Sequence, residues 1–147
     1  FIALIAMVNG MLEAGGAWVG IEQLTLERLL GGLLQPLAWA LGIPWDEAQL
    51  AGSLIGQKFI LNEFVAYVTY SEVAGQLSPH SQAIVIFALC GFANLSSIAI
   101  LLGGLGAVAP GRRDDISRYG FRALIAASLS NLMSAALAGF FLTLGAA

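Results

Sequence analysis

AQLAGSLIGQKFILNEFVAYVTY, from Ala48 to Tyr70, is long enough to cross a bilayer, yet it carries Gln57, Lys58, Asn62 and Glu63 near its middle. A charged group at the bilayer centre costs about 2.5–3.5 kcal/mol on insertion scales. A segment with two such groups is better satisfied as a re-entrant hairpin, its tip buried in protein or lining a water-filled cavity. The reading over residues 47–72 is therefore two short helices of roughly ten residues each, with the turn between Gln57 and Asn62.

The rest of the chain supports a membrane setting. Its 147 residues are 59% hydrophobic and 10% charged, with mean hydropathy +0.86. That leaves too little polar material to cover a soluble domain of this length. The net charge of −3 gives no attraction for nucleic acid. Cys90 is the single cysteine, lies in an apolar run and reads as a small packing residue.

Upstream, Phe1 to Leu12 is apolar from its first residue, with neither the basic flank nor the initiating Met of a signal peptide. Residues 1–19 are expected to be the end of a transmembrane helix whose beginning precedes the chain, and Glu13 to Glu27 a polar connector. Residues 26–45 mix Leu with Gly, Pro36, Pro44, Trp39 and Trp45. That mixture predicts an interfacial helix ending at the Pro44-Trp45-Asp46 turn.

Downstream, Ser71 to Gln82 reads as an aqueous loop in which His80 is solvated. Residues 82–109 predict a transmembrane helix broken at Gly91 to Ser97, where small and polar residues sit between two apolar runs. Pro110 to Arg122 holds four arginines and two aspartates, so this loop is expected on the cytoplasmic side. Residues 117–145 form the last transmembrane helix, with Ser128, Asn131 and Ser134 as a packing stripe. The fold class is all-α integral membrane, and its elements suit one half of an inverted-repeat transporter.

Glu63 is the sharpest chemical feature. Lys58, five residues away, is the one cation near it in sequence. A carboxylate in a polar cavity suits vicinal hydroxyls, a cation or a proton; a structural ion pair with Lys58 is the competing role. Asn94 and Ser97 are three residues apart and share a helix face, offering donors and acceptors to a polyhydroxylated solute. Phe92 could stack on a ring or pack in the core. Gln57 and Lys58 could support the hairpin tip or touch solute, and Asn62 suits a helix cap. No nucleophile–base pair, histidine pair or other metal set emerges, so neither an enzyme nor a metal site within this chain is expected.

The stretch Gly56-Gln57-Lys58-Phe59-Ile60-Leu61-Asn62-Glu63-Phe64-Val65-Ala66-Tyr67 resembles the G-x-K-x-x-x-N-E-F-V-A-Y signature of concentrative nucleoside transporters. Ala88 to Ile98, ALCGFANLSSI, resembles their second signature, followed by the similar Gly103-Gly104-Leu105 and Pro110-x-Arg112-Arg113. The resemblance implies a multi-pass protein of the cytoplasmic (inner) membrane, a homotrimer that carries nucleosides with a coupling cation, sodium or proton. It places Glu63 at the second hairpin tip on ribose hydroxyls, with Asn94 and Ser97 sharing the ribose and Phe92 lining the site. It assigns most nucleobase contacts and the sodium site to a first hairpin and first broken helix, neither of which is in this chain. The alternatives are a transporter of another small polar solute, such as an amino acid or dicarboxylate, or a non-transporting membrane subunit.

Overall fold

A computed structural model describes residues 2–21 and 23–145. These form α1 (Ile2–Val19), α2 (Leu26–Ala40), α3 (Trp45–Ile60), α4 (Glu63–Val73), α5 (Pro79–Leu89), α6 (Leu95–Val108) and α7 (Arg113–Gly145). Short 3-10 turns occupy Ala74–Gln76 and Pro110–Arg112, and no strand occurs among the described residues. The chain is all-helical.

Helix α1 continues through Glu13 to Val19, so the first part of the expected polar connector is helical. Helix α2 starts at Thr25, whose Oγ1 accepts the Arg28 amide hydrogen, and it ends at Ala40 instead of running to residue 45. The stop is a Schellman motif. Gly42 stands at φ +102°, Gly42 N donates to the Trp39 carbonyl, and Ile43 N donates to the Ala38 carbonyl. Ile43 is then buried, and Pro44 precedes the first turn of α3. Trp45 therefore opens α3, where its ring meets Trp39 edge to face at 6.3 Å.

Helices α2 and α3 pack backbone to backbone. A Cβ on Gly52 would stand 2.9 Å from main-chain atoms of Leu34 and Gln35, and one on Gly56 would stand 2.7 Å from Leu30 Cβ. The small-x-x-x-small spacing of Gly52 and Gly56 makes that approach possible, the geometry by which helices associate where lipid supplies no hydrophobic drive.

Helices α3 and α4 fold back on each other about Leu61 and Asn62. Gln57 joins them: its Oε1 accepts from Thr69 Oγ1 at 2.9 Å, and its Nε2 donates to Ser53 Oγ at 3.3 Å. The arms are 16 and 11 residues, unequal where roughly equal ones were expected.

The expected loop Ser71 to Gln82 is mostly ordered turn and helix. Glu47 accepts from Ser78 N and Oγ, and Ser78 caps α5 by accepting the Ser81 amide hydrogen, so α5 begins at Pro79. His80 is half-buried, with a ring nitrogen 3.3 Å from the Gly42 carbonyl oxygen in a solvent-exposed contact. The break itself is Cys90 to Asn94, shorter than Gly91 to Ser97, because Asn94 already caps α6.

The expected loop Pro110 to Arg122 is also corrected. Only Pro110–Arg112 is a turn, and α7 runs unbroken from Arg113. Asp114 and Asp115 in its first turn favour a helix start, since their charge opposes the N-terminal dipole. At about 1.5 Å per residue α7 is about 50 Å long, against a hydrocarbon core of about 30 Å, so its charged turns and a full span fit one rod. The core lies where α2, α3, α5 and α7 meet, around Ile43, Leu54, Ile55, Ile84, Leu89 and Leu132. Leu129, Met133, Phe140 and Phe141 on α7 stay exposed, an apolar face suited to lipid or to further protein.

Candidate functional site

Two chain breaks meet at one point. Asn62 is extended (φ −168°, ψ 170°) and caps α4, its Oδ1 accepting the Val65 amide hydrogen at 2.9 Å. Asn94, likewise extended (φ −144°, ψ 165°), caps α6 by accepting the Ser97 amide hydrogen at 2.8 Å. Each break therefore turns a helix N-terminus, with its unpaired N–H groups and partial positive charge, toward the same region.

Glu63 occupies the first turn of α4, where a carboxylate stands beside the partial positive end of the helix. Its Oε2 accepts from Asn94 Nδ2 at 2.8 Å. This is the contact that brings the hairpin tip onto the broken helix. Lys58, the expected alternative partner, makes no ion pair with Glu63 and turns instead to Asn131.

Asn94 is buried; its Oδ1 accepts from Ser97 N and lies within hydrogen-bond reach of the Ser97 and Ser96 hydroxyls, at 2.9 Å and 2.6 Å. Its capacity for a further partner is thus on Nδ2, beside the Glu63 carboxylate. Ser97 Oγ also reaches the Phe92 carbonyl oxygen, so Ser97 closes the break and keeps acceptor lone pairs for a solute hydroxyl. Phe92 is 76% exposed and packs in no core; its ring is free to stack on a planar group. The half-buried Glu63 keeps most of its acceptor sites open. A carboxylate that accepts two hydrogens beside an amide that donates one is matched to a vicinal diol.

Gln57 and Lys58 are both buried, Gln57 against Thr69 and Ser53 and Lys58 against Asn131. Three contributors had no clear signal in the sequence. Ser96 Oγ stands between Asn94 Oδ1 at 2.6 Å and the Leu61 carbonyl at 3.3 Å, with its one hydrogen to give to either, beside both the break and the hairpin turn. Tyr67 Oη donates to the Ile86 carbonyl at 3.0 Å, linking α4 to the end of α5. Asn131, read as packing only, bonds both Lys58 and the Phe87 carbonyl. The one available hint was that Asn131 is the sole amide in α7.

Removing the Asn62 cap should cost about 1 kcal/mol. Asn62→Ala is therefore expected to lower the thermal midpoint of the full-length protein while leaving its relative affinities for different solutes unchanged. A change in solute preference would place Asn62 in the site itself.

A family model for the Na+ dependent nucleoside transporter C-terminus matches residues 1–139. Nucleoside permease NupC of Helicobacter pylori is 48% identical, over 99% of this chain and 36% of that protein. Sodium/nucleoside cotransporter 1 of Rattus norvegicus is 38% identical, over 95% of this chain and 24% of that protein. A solved structure of CNTnw in an inward-facing substrate-bound state is 56% identical with a TM-score of 0.92, covering all of this chain and 37% of that one. The chain spans about a third of the length of the first curated relatives it matches. With 139 residues inside one family model and these identities behind it, the chain belongs to the concentrative nucleoside transporter family, membrane proteins that are not enzymes.

Proposed function

We propose that this chain supplies the ribose-binding half of a cation-coupled nucleoside symporter in the cytoplasmic membrane. The observation that carries the reading is the 2.8 Å contact between the Glu63 carboxylate at the hairpin tip and the Asn94 amide at the helix break. The ribose 2′- and 3′-hydroxyls donate to Glu63 and accept from Asn94 Nδ2, Ser97 adds a hydroxyl, and Phe92 lines the ring's approach. The nucleobase and the coupling cation, sodium or proton, are held mainly by the remaining two-thirds of the transporter, and the assembly is a homotrimer.

In the membrane, α3 and α4 form a re-entrant hairpin, α2 lies at the interface, α5 and α6 form one broken span, and α7 is the last span. Alternating access requires the loaded site to cross the membrane region with its charge satisfied. Solute hydroxyls on Glu63 provide part of that satisfaction, which couples movement to occupancy.

Ligand that binds only the folded state stabilises it by about 2.7 kcal/mol at about 100 times Kd. Uridine at such a concentration is expected to raise the thermal midpoint of the full-length protein. A dicarboxylate should not, because Glu63 repels an anion, and an amino acid should not, because it lacks the vicinal hydroxyls. If no nucleoside stabilises the protein while another solute does, this reading is wrong.

A further inference from the structure

Among the described residues Lys58 is the largest fully buried side chain, and it makes no ion pair with a carboxylate. A buried ammonium is costly, and here the Glu63 carboxylate acts on it only through space, so the groups that touch it directly are informative. Its Nζ donates to Asn131 Oδ1 at 2.8 Å and lies 4.8 Å from the centre of the Phe59 ring. It also stands in the last turn of α3, where the helix carbonyl end carries partial negative charge.

Asn131 carries the contact further. Its Nδ2 donates to the Phe87 carbonyl at 2.8 Å, in the last turn of α5 just before the break. The carbonyl ends of α3 and α5 are thus gathered around Lys58, as the N–H ends of α4 and α6 are gathered around Glu63 and Asn94. Gly91 leaves room for this relay: a Cβ there would stand 2.7 Å from Asn131 Oδ1. The two breaks are joined on both sides, by charge and amide in each case.

We propose that Lys58 is a positioning residue of the solute site. Acting through Asn131, it fixes the carbonyl end of the α5–α6 break, and with it the placement of Asn94 against Glu63. Vicinal hydroxyls then find the acceptor and the donor already in register. This rests on the nucleoside reading above and adds a residue that touches no solute.

The test uses the full-length transporter and equilibrium Kd values for uridine and 2′,3′-dideoxyuridine, whose ratio reports the contribution of the hydroxyls alone. Lys58→Met and Asn131→Leu are each expected to reduce that ratio roughly tenfold while changing the dideoxyuridine Kd little. Because the two act through one link, the double variant should lose no more than the larger single. A purely structural role would weaken both ligands together, so an unchanged ratio overturns the proposal, and additive losses overturn the relay through Asn131. Kd is read on folded protein, and Asn131→Leu carries the same test if Lys58→Met does not fold. Glu63→Gln separates the two levels. If it lowers the ratio and Lys58→Met does not, positioning by Lys58 alone is wrong; if it leaves the ratio unchanged, the hydroxyl reading falls and Lys58 with it.

Discussion

Uridine uptake by the full-length transporter is expected to fall about 10- to 150-fold when Glu63 is replaced by Gln, because hydrogen bonds to a charged group are worth about 1.5–3 kcal/mol. The carboxamide keeps the size of the side chain but only one acceptor oxygen. If that oxygen takes the Asn94 amide hydrogen, the new NH2 group faces the solute hydroxyls and cannot accept from them. If the group turns over, two NH2 groups oppose each other and the contact between hairpin and break is lost. Either orientation forfeits a charge-assisted bond that the first turn of α4 is placed to support. Glu63→Asp retains the charge but withdraws it by one methylene, so an intermediate loss is expected. Initial uptake rates, normalised to protein in the membrane, measure both. A loss under about threefold for Glu63→Gln would be too small for a direct bond to substrate.

The second large effect concerns the α2–α3 pair that carries the hairpin. At Gly52 a side chain would meet the main chain of Leu34 and Gln35 at 2.9 Å and the Gly31 carbonyl oxygen at 3.0 Å. Backbone atoms cannot rotate aside, so the helices must separate. Gly52→Ala is expected to cost about 1–3 kcal/mol, and Gly52→Leu to leave no folded transporter. Gly32, on the same helix α2, has open space where its Cβ would be. Gly32→Ala should therefore hold or raise the midpoint by helix propensity, worth up to about 1 kcal/mol. Thermal unfolding of the solubilised protein, followed by size-exclusion chromatography, distinguishes the series. A Gly52→Leu protein that melts with the wild type would show that the close approach is not needed.

Features set by polarity against an apolar background could be read from the sequence alone. Glu63 and Asn94 stand out because charge and amide are rare in such a chain, and the structure places them in contact although 31 residues separate them. The capping role of Asn62 was also legible, since an Asn just before a helical run is a strong local signal. Partnerships across the chain were not. Nothing local connects Lys58 to Asn131, 73 residues away, and the periodicity of α7 shows only a polar stripe.

Boundaries suffered for a different reason. Gly42 ends α2 because it can take φ +102°, and its neighbours do not reveal whether a given glycine will do so. The charges of Pro110 to Arg122 suggested a loop, but Asp and Arg are compatible with helix, and aspartates at its start favour it. Charge marked the end of an apolar stretch there, not the edge of the helix. Gly52 and Gly56 are likewise ambiguous in sequence, where they could equally have been flexible points in a hairpin arm. Only the position of α2 shows that they are contact points.

Titration calorimetry of the full-length protein with uridine and with 2′,3′-dideoxyuridine, in wild type and Glu63→Gln, tests the role of Glu63 most directly. In the wild type, uridine is expected to bind about 10- to 150-fold more tightly than the dideoxy analogue, and Glu63→Gln should erase most of that difference by weakening uridine alone. Equal weakening of both ligands by Glu63→Gln, with the wild-type preference retained, would contradict a ribose contact and leave Glu63 as a structural tie between the hairpin and the broken helix.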